Sequence, residues 1–441
     1  MIKQTKLMLT GLSLAAVMAI TGCNANNANP MNAETNMITA YANIAYANYN
    51  DALNDAKALK IAVDKFAMNP NKITLDNAKA AWLISRESYG QTEIFRLANG
   101  PVDAEDGWVA EKYGSLEGQL NAWPLDENMI DYTVNEKGMR TRGNIIDTKG
   151  SFNPGGEESS AVDVSSITVD AITNLNENGG DANVATGYHA VEFLLWGQDQ
   201  DYSNFVKDSV TKGPLQAGNR PLSDFTSSKN ADRRKAYLQA ASQKIVNDLT
   251  VVASAWAKDD KTNYRAALLG MNVDAEKNIS SKDAQKDIFA GMGVFIKSEL
   301  ANERIAVAVL TPSEEDEHSC FSDNTHRDIT TNYQGFKNIL MGTYKDMDYG
   351  QAPIDALSKS GKEEITTLMS QIESKIDSIN AVAKTSRHFD YQIKPNDPQA
   401  KVIVKLKNEL RKLGDKMVSV ASANGINLSI EDVTDADETK L

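Results

Sequence analysis

Cysteine is nearly missing, with only Cys23 and Cys320 in 441 residues, and positive charge is short, 46 Lys and Arg against 60 Asp and Glu for a formal charge of −14. So few cysteines exclude a disulfide-stapled scaffold, and the fold must be held by burial. The deficit of cations argues against nucleic-acid backbones and anionic lipid surfaces as partners. Long apolar runs are scarce as well. The stretch from Leu7 to Ile20 is too short for a comfortable transmembrane helix, and no second stretch is long enough to cross a membrane. Alternating strand patterns are almost absent, which leaves an all-α chain.

What stands at the N-terminus is a processing signal. Lys3 and Lys6 precede the apolar run, and Ile20-Thr21-Gly22-Cys23 follows it, the pattern of a lipoprotein signal peptide over residues 1–22. An ordinary secretory signal is the plainer alternative. Cleavage before Cys23 places this cysteine first in the mature chain with its thiol carrying diacylglycerol, so the expected membrane attachment is a lipid anchor. Cys320 is then left without a disulfide partner. Asn24 stands where an aspartate favours inner-membrane retention, so the expected location is the outer membrane, facing the periplasm. Residues 23–36 read as a lipidated polar tether rich in Asn and Ala.

Apolar residues recur at spacings of three and four from about residue 38 to Asn69-Pro70, and again from about 74 to 97. Residues 101–160 look irregular, with Gly, Pro and the polar run NPGGEESS. Further helices are expected at 164–175, 184–197, 231–258, 281–311, 325–341, 362–385 and 398–424. Asp397 serves as N-cap of the last, Pro398 opens its first turn and Gly425 stops it. Tyr188 to Gly197 can be laid without gaps over Tyr333 to Gly342, each starting with Tyr and ending with Gly. This points to an internal duplication and two helical-bundle domains, at 37–220 and 221–435. Where the first copy has His189 and Glu192, the second has Gln334 and Lys337, so metal chemistry belongs to the first copy alone.

The stretch GYHAVEFLLWGQD, residues 187–199, puts His189 and Glu192 three apart on one face of a helix that is apolar on nearly every other side. Buried polar groups need partners, so this pair calls for a metal, a basic side chain or a bound ligand. A histidine bonded to a glutamate within a helical core is the bland alternative. Two other regions could meet the pair. Arg86, Tyr89, Glu93 and Arg96 form one polar stripe on a helix, which a solvated face would also explain. EEDEHSCFSDNTH, residues 314–326, gathers His318, Cys320, Asp323 and His326 in a loop. A metal site, an acidic loop or a capping network started by Asp323 or Asn324 would each account for it.

The GxHxxE signature of Gly187, His189 and Glu192 resembles that of the imelysin-like proteins. The likeness extends to WLISRESYGQTEIFRLANGPVD, NAWPLDE, LNENGGDANVATGYHAVEFLLWGQD and EDEHSCFSDNTHRDI, and covers about residues 37–425. It implies two helical domains related by duplication, with the motif near their interface. It also implies a family first classed with metallopeptidases, many of whose members look like iron-regulated proteins of the periplasm or outer membrane. The expected metal residues are His189 and Glu192, for a divalent metal, iron or zinc. Arg86, Tyr89, Glu93 and Asp323 are the expected ligand-binding residues. The partners so implied are a metal or iron-bearing ligand and the proteins of an iron-uptake system. A zinc peptidase using Glu192 as ligand or base, and a structural or docking lipoprotein, stand as alternatives, since no third metal ligand is evident.

Overall fold

The computed structural model describes residues 30–135, 137–199, 213–310 and 316–435, with side chains from Met37 onward; the signal segment and Cys23 lie outside them. Eight long helices carry the architecture: α1 (Pro30–Met68), α2 (Lys72–Thr92), α3 (Gly187–Trp196), α4 (Ala231–Ala255), α5 (Ser281–Val294, continuing through Phe295–Ala306 to Leu310), α6 (Thr325–Met341), α7 (Lys359–Thr385) and α8 (Pro398–Ala423). The all-α expectation is met, apart from two small two-stranded ribbons.

Local chemistry explains the helix ends. Asn71 accepts bonds from the Ile73 and Thr74 amides while Thr74 Oγ1 accepts from the Asn71 amide, a reciprocal cap that starts α2. Asp397 accepts from the Gln399 amide ahead of Pro398, as the sequence leads one to expect. Helix α1 begins earlier than expected, at Pro30, inside the stretch read as tether. The interval 101–160 is not wholly irregular, since Gly107–Tyr113, Glu117–Leu120 and Glu127–Ile130 form short helices between its turns.

Helices α1, α2, α3 and α4 pack together, and α5, α6, α7 and α8 form a second group joined to the first through α2 and α6. One continuous cluster of buried apolar side chains runs through both, from Met37 to Val433. Helix α4, placed by sequence in a second domain starting at 221, packs on α1 and α3 instead. Its Tyr237, Leu238, Ile245, Leu249 and Val252 face are all fully buried there, so the boundary after 220 cuts through a packed unit.

The junction between the groups depends on two glycines. A Cβ on Gly90 would lie 2.1 Å from Thr331 Oγ1, and one on Gly335 would lie 2.4 Å from the Gln91 carbonyl oxygen. Their absence lets α2 and α6 approach backbone to backbone, and this brings Arg86 of α2 against Asp328 of α6.

The final change from expectation is in α5. Phe295–Ala306 winds as a π-helix rather than as regular α-helix. The wider turn presents Glu299 and Arg304 toward the same junction.

Candidate functional site

The backbone of Gly187 adopts φ +83°, and a Cβ there would lie 2.5 Å from the Leu120 carbonyl oxygen. Only glycine allows α3 to start so close to the segment bearing Asn121 and Trp123. Thr186 fastens the same contact by donating to the Gln119 carbonyl. From that start α3 turns both polar side chains of the motif into the junction, where His189 is 1% and Glu192 0% exposed.

Each side chain of the motif finds a partner, and a second histidine joins them. His189 Nδ1 lies 3.0 Å from Glu192 Oε2, and Glu192 Oε1 accepts from both the amide and the hydroxyl of Ser322, at 2.9 and 2.7 Å. The His318 ring stands 4.6 Å from that of His189, centroid to centroid, at an interplanar angle of 77°. His318 Nδ1 is 2.9 Å from Asp328 Oδ2, the oxygen that also accepts from Ser319 Oγ. Both imidazoles are thus held through Nδ1 by a carboxylate, while His189 Nε2 and His318 Nε2 are buried with no hydrogen-bond partner. A ring nitrogen fixed by a carboxylate with its opposite nitrogen open is the arrangement that supports metal ligation.

Charge alternates outward from this pair. Arg86 donates to Asp328 Oδ1 at 3.2 and 3.0 Å and to Asn121 Oδ1 at 2.6 Å, and its guanidinium lies 3.8 Å from Glu93. Arg304 bonds both Glu93 and Glu299, and Arg96 reaches Glu299 at 3.2 Å and Glu117 at 3.4 Å. Each buried charge in the series thereby has an opposite neighbour, without which burial would be prohibitive. Tyr89 lies 4.6 Å from Tyr188, and both rings sit under the Arg86 guanidinium at 5.4 and 5.2 Å.

The electrostatic consequence is that both imidazoles stay unprotonated. Burial lowers the His189 imidazole to about 3, with Arg86 adding to the effect, and burial together with Arg304 lowers His318 to about 3. Both rings are neutral at neutral pH with a nitrogen lone pair to offer. Burial raises the Glu192 carboxyl to about 8 against the opposing pull of Ser322. Asp328 goes the other way: burial would raise it, but Arg86 and His318 hold it well below the usual carboxylate range.

A cavity of about 310 Å³ opens onto His318. Trp123 and Asn121 share its wall, and Glu117, Glu177, Asp181, Glu299, Glu303 and Asp435 make its lining acidic despite Arg96 and Arg304. The Asn121 side-chain nitrogen is buried there without a partner. Among the described residues, no group of three or more His, Cys, Asp or Glu side chains is placed to hold a metal ion. The protein itself thus offers two imidazole nitrogens, and any further ligands must come with the ion.

Of the residues expected from sequence, Arg86 and Glu93 reach the junction, but as buried links in the charge series and not as a solvated stripe. Tyr89 serves as a wall for Arg86. Asp323 turns away, its carboxylate paired with His388 Nδ1, next to His326, whose Nδ1 contacts the Asp323 carbonyl oxygen. Capping does not explain the described part of the loop, 316–326, because Asn324 precedes α6 without a side-chain cap bond and His318 is directed inward. Asn121, Ser322, Arg304 and Asp328 were not singled out from the sequence. Asn121, Ser322 and Asp328 nonetheless lie within the quoted NAWPLDE and EDEHSCFSDNTHRDI blocks, which was the available signal.

Residues 45–417 match the family model described as Imelysin, peptidase M75. Iron-regulated protein A of Synechococcus elongatus is 21% identical over 304 residues, 69% of this chain and 63% of that protein. The chain therefore spans less than two thirds of the length of the curated relative it matches. A solved structure of an iron-regulated protein A precursor from Parabacteroides distasonis superposes with a TM-score of 0.60 at 18% identity, covering 90% of this chain and 97% of that one. An imelysin-like protein from Psychrobacter arcticum gives 0.56 at 11% identity, covering 92% and 100%. At such identities the two structures speak for the shared fold alone.

Proposed function

Because this chain belongs to the imelysin family, we propose that it is a metal-binding lipoprotein of iron uptake, taking a hydrated divalent cation onto the His189–His318 pair. The observation that carries the reading is the pair of buried, unpartnered Nε2 atoms, each on a ring held through Nδ1 by a carboxylate. His189 and His318 supply nitrogen ligands, and Glu192 and Asp328 orient the rings. The remaining ligands are waters, one of which the Asn121 amide is placed to orient.

The cavity selects the form of the cargo. Its acidic wall raises the local concentration of cations. A polar space of about 310 Å³ suits an ion with its water shell rather than a flat apolar macrocycle. Two protein ligands also suit uptake and release better than permanent retention, because structural metal sites close the shell with four. The zinc-peptidase alternative asks for three protein ligands, an open position and a separate base, a set that this pair does not supply. The name of the curated relative, iron-regulated protein A, supports the iron assignment. Lipidation at Cys23 and an outer-membrane position facing the periplasm complete the proposal, since both place the cavity where incoming metal would be met.

The test is equilibrium dialysis of metal-free protein against Fe(II), under anaerobic conditions, and against Zn(II). One ion per chain, lost in His189→Ala and in His318→Ala, is expected. Stoichiometric uptake unchanged in both variants would overturn the assignment.

A further inference from the structure

Beside the C-terminal end of α3, cations gather in a chain that is otherwise acidic. Two cavities, of about 220 and 370 Å³, share Tyr132 and Arg140. Arg220 lines the first, and Arg142, Lys229 and Arg234 line the second. The floor is fixed. Asp131 takes two bonds from Arg234 and one from Arg220, and Asp224 accepts from Tyr132 Oη and from Arg220. Arg220 also donates to the Phe193 carbonyl near the C-terminal end of α3, which ties the cleft to the helix carrying the metal motif.

Above this floor, among the described residues, the positive charge is only partly neutralised. Arg142 and Lys229 have no ion-pair partner among the described residues, and Arg140 has only a 3.7 Å contact with Asp224 while stacking 3.9 Å from the Tyr132 ring centre. Arg220, only 4% exposed, keeps a buried Nε with no hydrogen-bond partner. Asp147, the acid in the lining of the larger cavity, is occupied by Asn230 and the Gly143 amide. Cations crowded on a concave wall repel one another, and an anion relieves both that repulsion and the orphaned donor.

The donors suit a particular anion. Guanidinium groups present forked N–H pairs to oxyanions, and Lys229 adds a point charge. Arg140 and Arg142 come from one segment and Lys229 from another, so they can meet a tetrahedral group from two sides, whereas a planar carboxylate uses one plane. The room beyond a bare phosphate, with the stacked Tyr132–Arg140 wall, accommodates a small organic portion. We propose that this cleft binds the phosphate monoester of a small soluble molecule, at a site separate from the metal pair.

The full-length protein, titrated calorimetrically at constant ionic strength with glycerol 3-phosphate, inorganic phosphate, glycerol and dihexanoyl phosphatidylglycerol, tests this. The monoester is expected to bind saturably and more tightly than the singly charged lipid diester, and glycerol not at all. Arg142→Ala with Lys229→Ala removes two exposed groups that make no ion pairs, so the fold and metal uptake should stand while monoester affinity drops by roughly tenfold or more. Arg140→Lys, which keeps charge but loses the fork, should weaken binding less. No saturable monoester binding, equal affinity in the double variant, or preference for the lipid diester would each overturn the proposal.

Discussion

His189 and His318 meet ring to ring, 4.6 Å apart, although they come from helix α3 and from the loop before α6, in opposite halves of the chain. Each is anchored by a carboxylate on its own segment, Glu192 one turn along α3 and Asp328 at the start of α6. The pair therefore exists only when both halves are docked. Metal held between the two open nitrogens would bind the docked state and not the separated one, and so stabilise the junction.

The sequence likeness of Tyr188–Gly197 to Tyr333–Gly342, if it reflects a duplication, predicts a one-sided loss. Gln334 bonds Asn338, and Lys337 pairs with Glu373 at 2.7 Å on a partly exposed face. Gln334→Ala and Lys337→Ala should leave metal uptake intact and cost under about 1 kcal/mol, as partly exposed pairs do. His189→Ala should abolish uptake. Equal losses in dialysis from both sets of variants would contradict a site that uses the polar pair of α3 and not its counterparts on α6.

Glu192→Gln should weaken uptake by roughly 10- to 100-fold, through the tautomer of His189. Ser322 presents two donors to Oε1, so the carboxamide oxygen must take that place and the NH2 group then faces His189 Nδ1. Nδ1 is forced to accept, Nε2 carries the hydrogen and its lone pair is lost. In the wild type the Glu192 carboxyl, raised by burial to about 8, can pass its proton to Nδ1, so a cation takes the place of the Nε2 hydrogen and one proton leaves. Calorimetry in buffers of different ionisation enthalpy should find about one proton released per ion in the wild type and none from this site in the variant. Chelator-sensitive peptide cleavage by the wild type that vanishes in Glu192→Gln would instead make the glutamate a catalytic base.

The sequence revealed the helices because their apolar periodicity is local, and Asp397, Pro398 and Gly425 marked the ends of α8 with their own backbone chemistry. His189 and Glu192 were legible because a polar pair stands out in an apolar helix. The burial of Arg86 and Glu93 was not. A stripe of charges at helical spacing looks the same whether it faces water or opposing charges, and here the answer came from Asp328 and Arg304, far away in sequence. The π-winding of α5 was hidden for a related reason: FIKSELANERIA reads as ordinary helix, and the packing of that segment against α6 and α8 goes unseen in the sequence. The surroundings of Asp323 were not legible because acids on a short loop can face either way, and its carboxylate pairs with His388.

Localisation makes a separate prediction. Palmitate labelling should follow the wild-type chain, and Cys23→Ser should abolish it, leaving an unprocessed precursor or a soluble periplasmic form. A variant that keeps normal processing and still partitions into detergent would remove the lipid anchor from the model of how this protein works.

The buried histidines should give the metal-free protein a component of acid sensitivity. His189 and His318 are held by burial at about 3, and His326 at about 4, against an ordinary value of 6.5. Depressed in the folded state, these groups contribute stability that is present above about 6.5 and is lost as pH falls toward 3. Glu192 acts with the opposite sign. Its carboxyl is raised from 4.5 to about 8, so its contribution is present below 4.5 and is lost as pH rises through 8. Between about pH 4 and 6 Asp103 and Asp390, raised by burial to about 6 and 7, act with Glu192 and offset the histidines, so the histidine contribution is read as a difference between variants. His318→Gln removes one of the histidine protons, so the slope of unfolding free energy against pH should decrease by about one proton equivalent relative to the wild type. An unchanged slope would mean that His318 is already protonated in the folded protein, and a charged imidazole at that position could not serve as the metal ligand proposed for it.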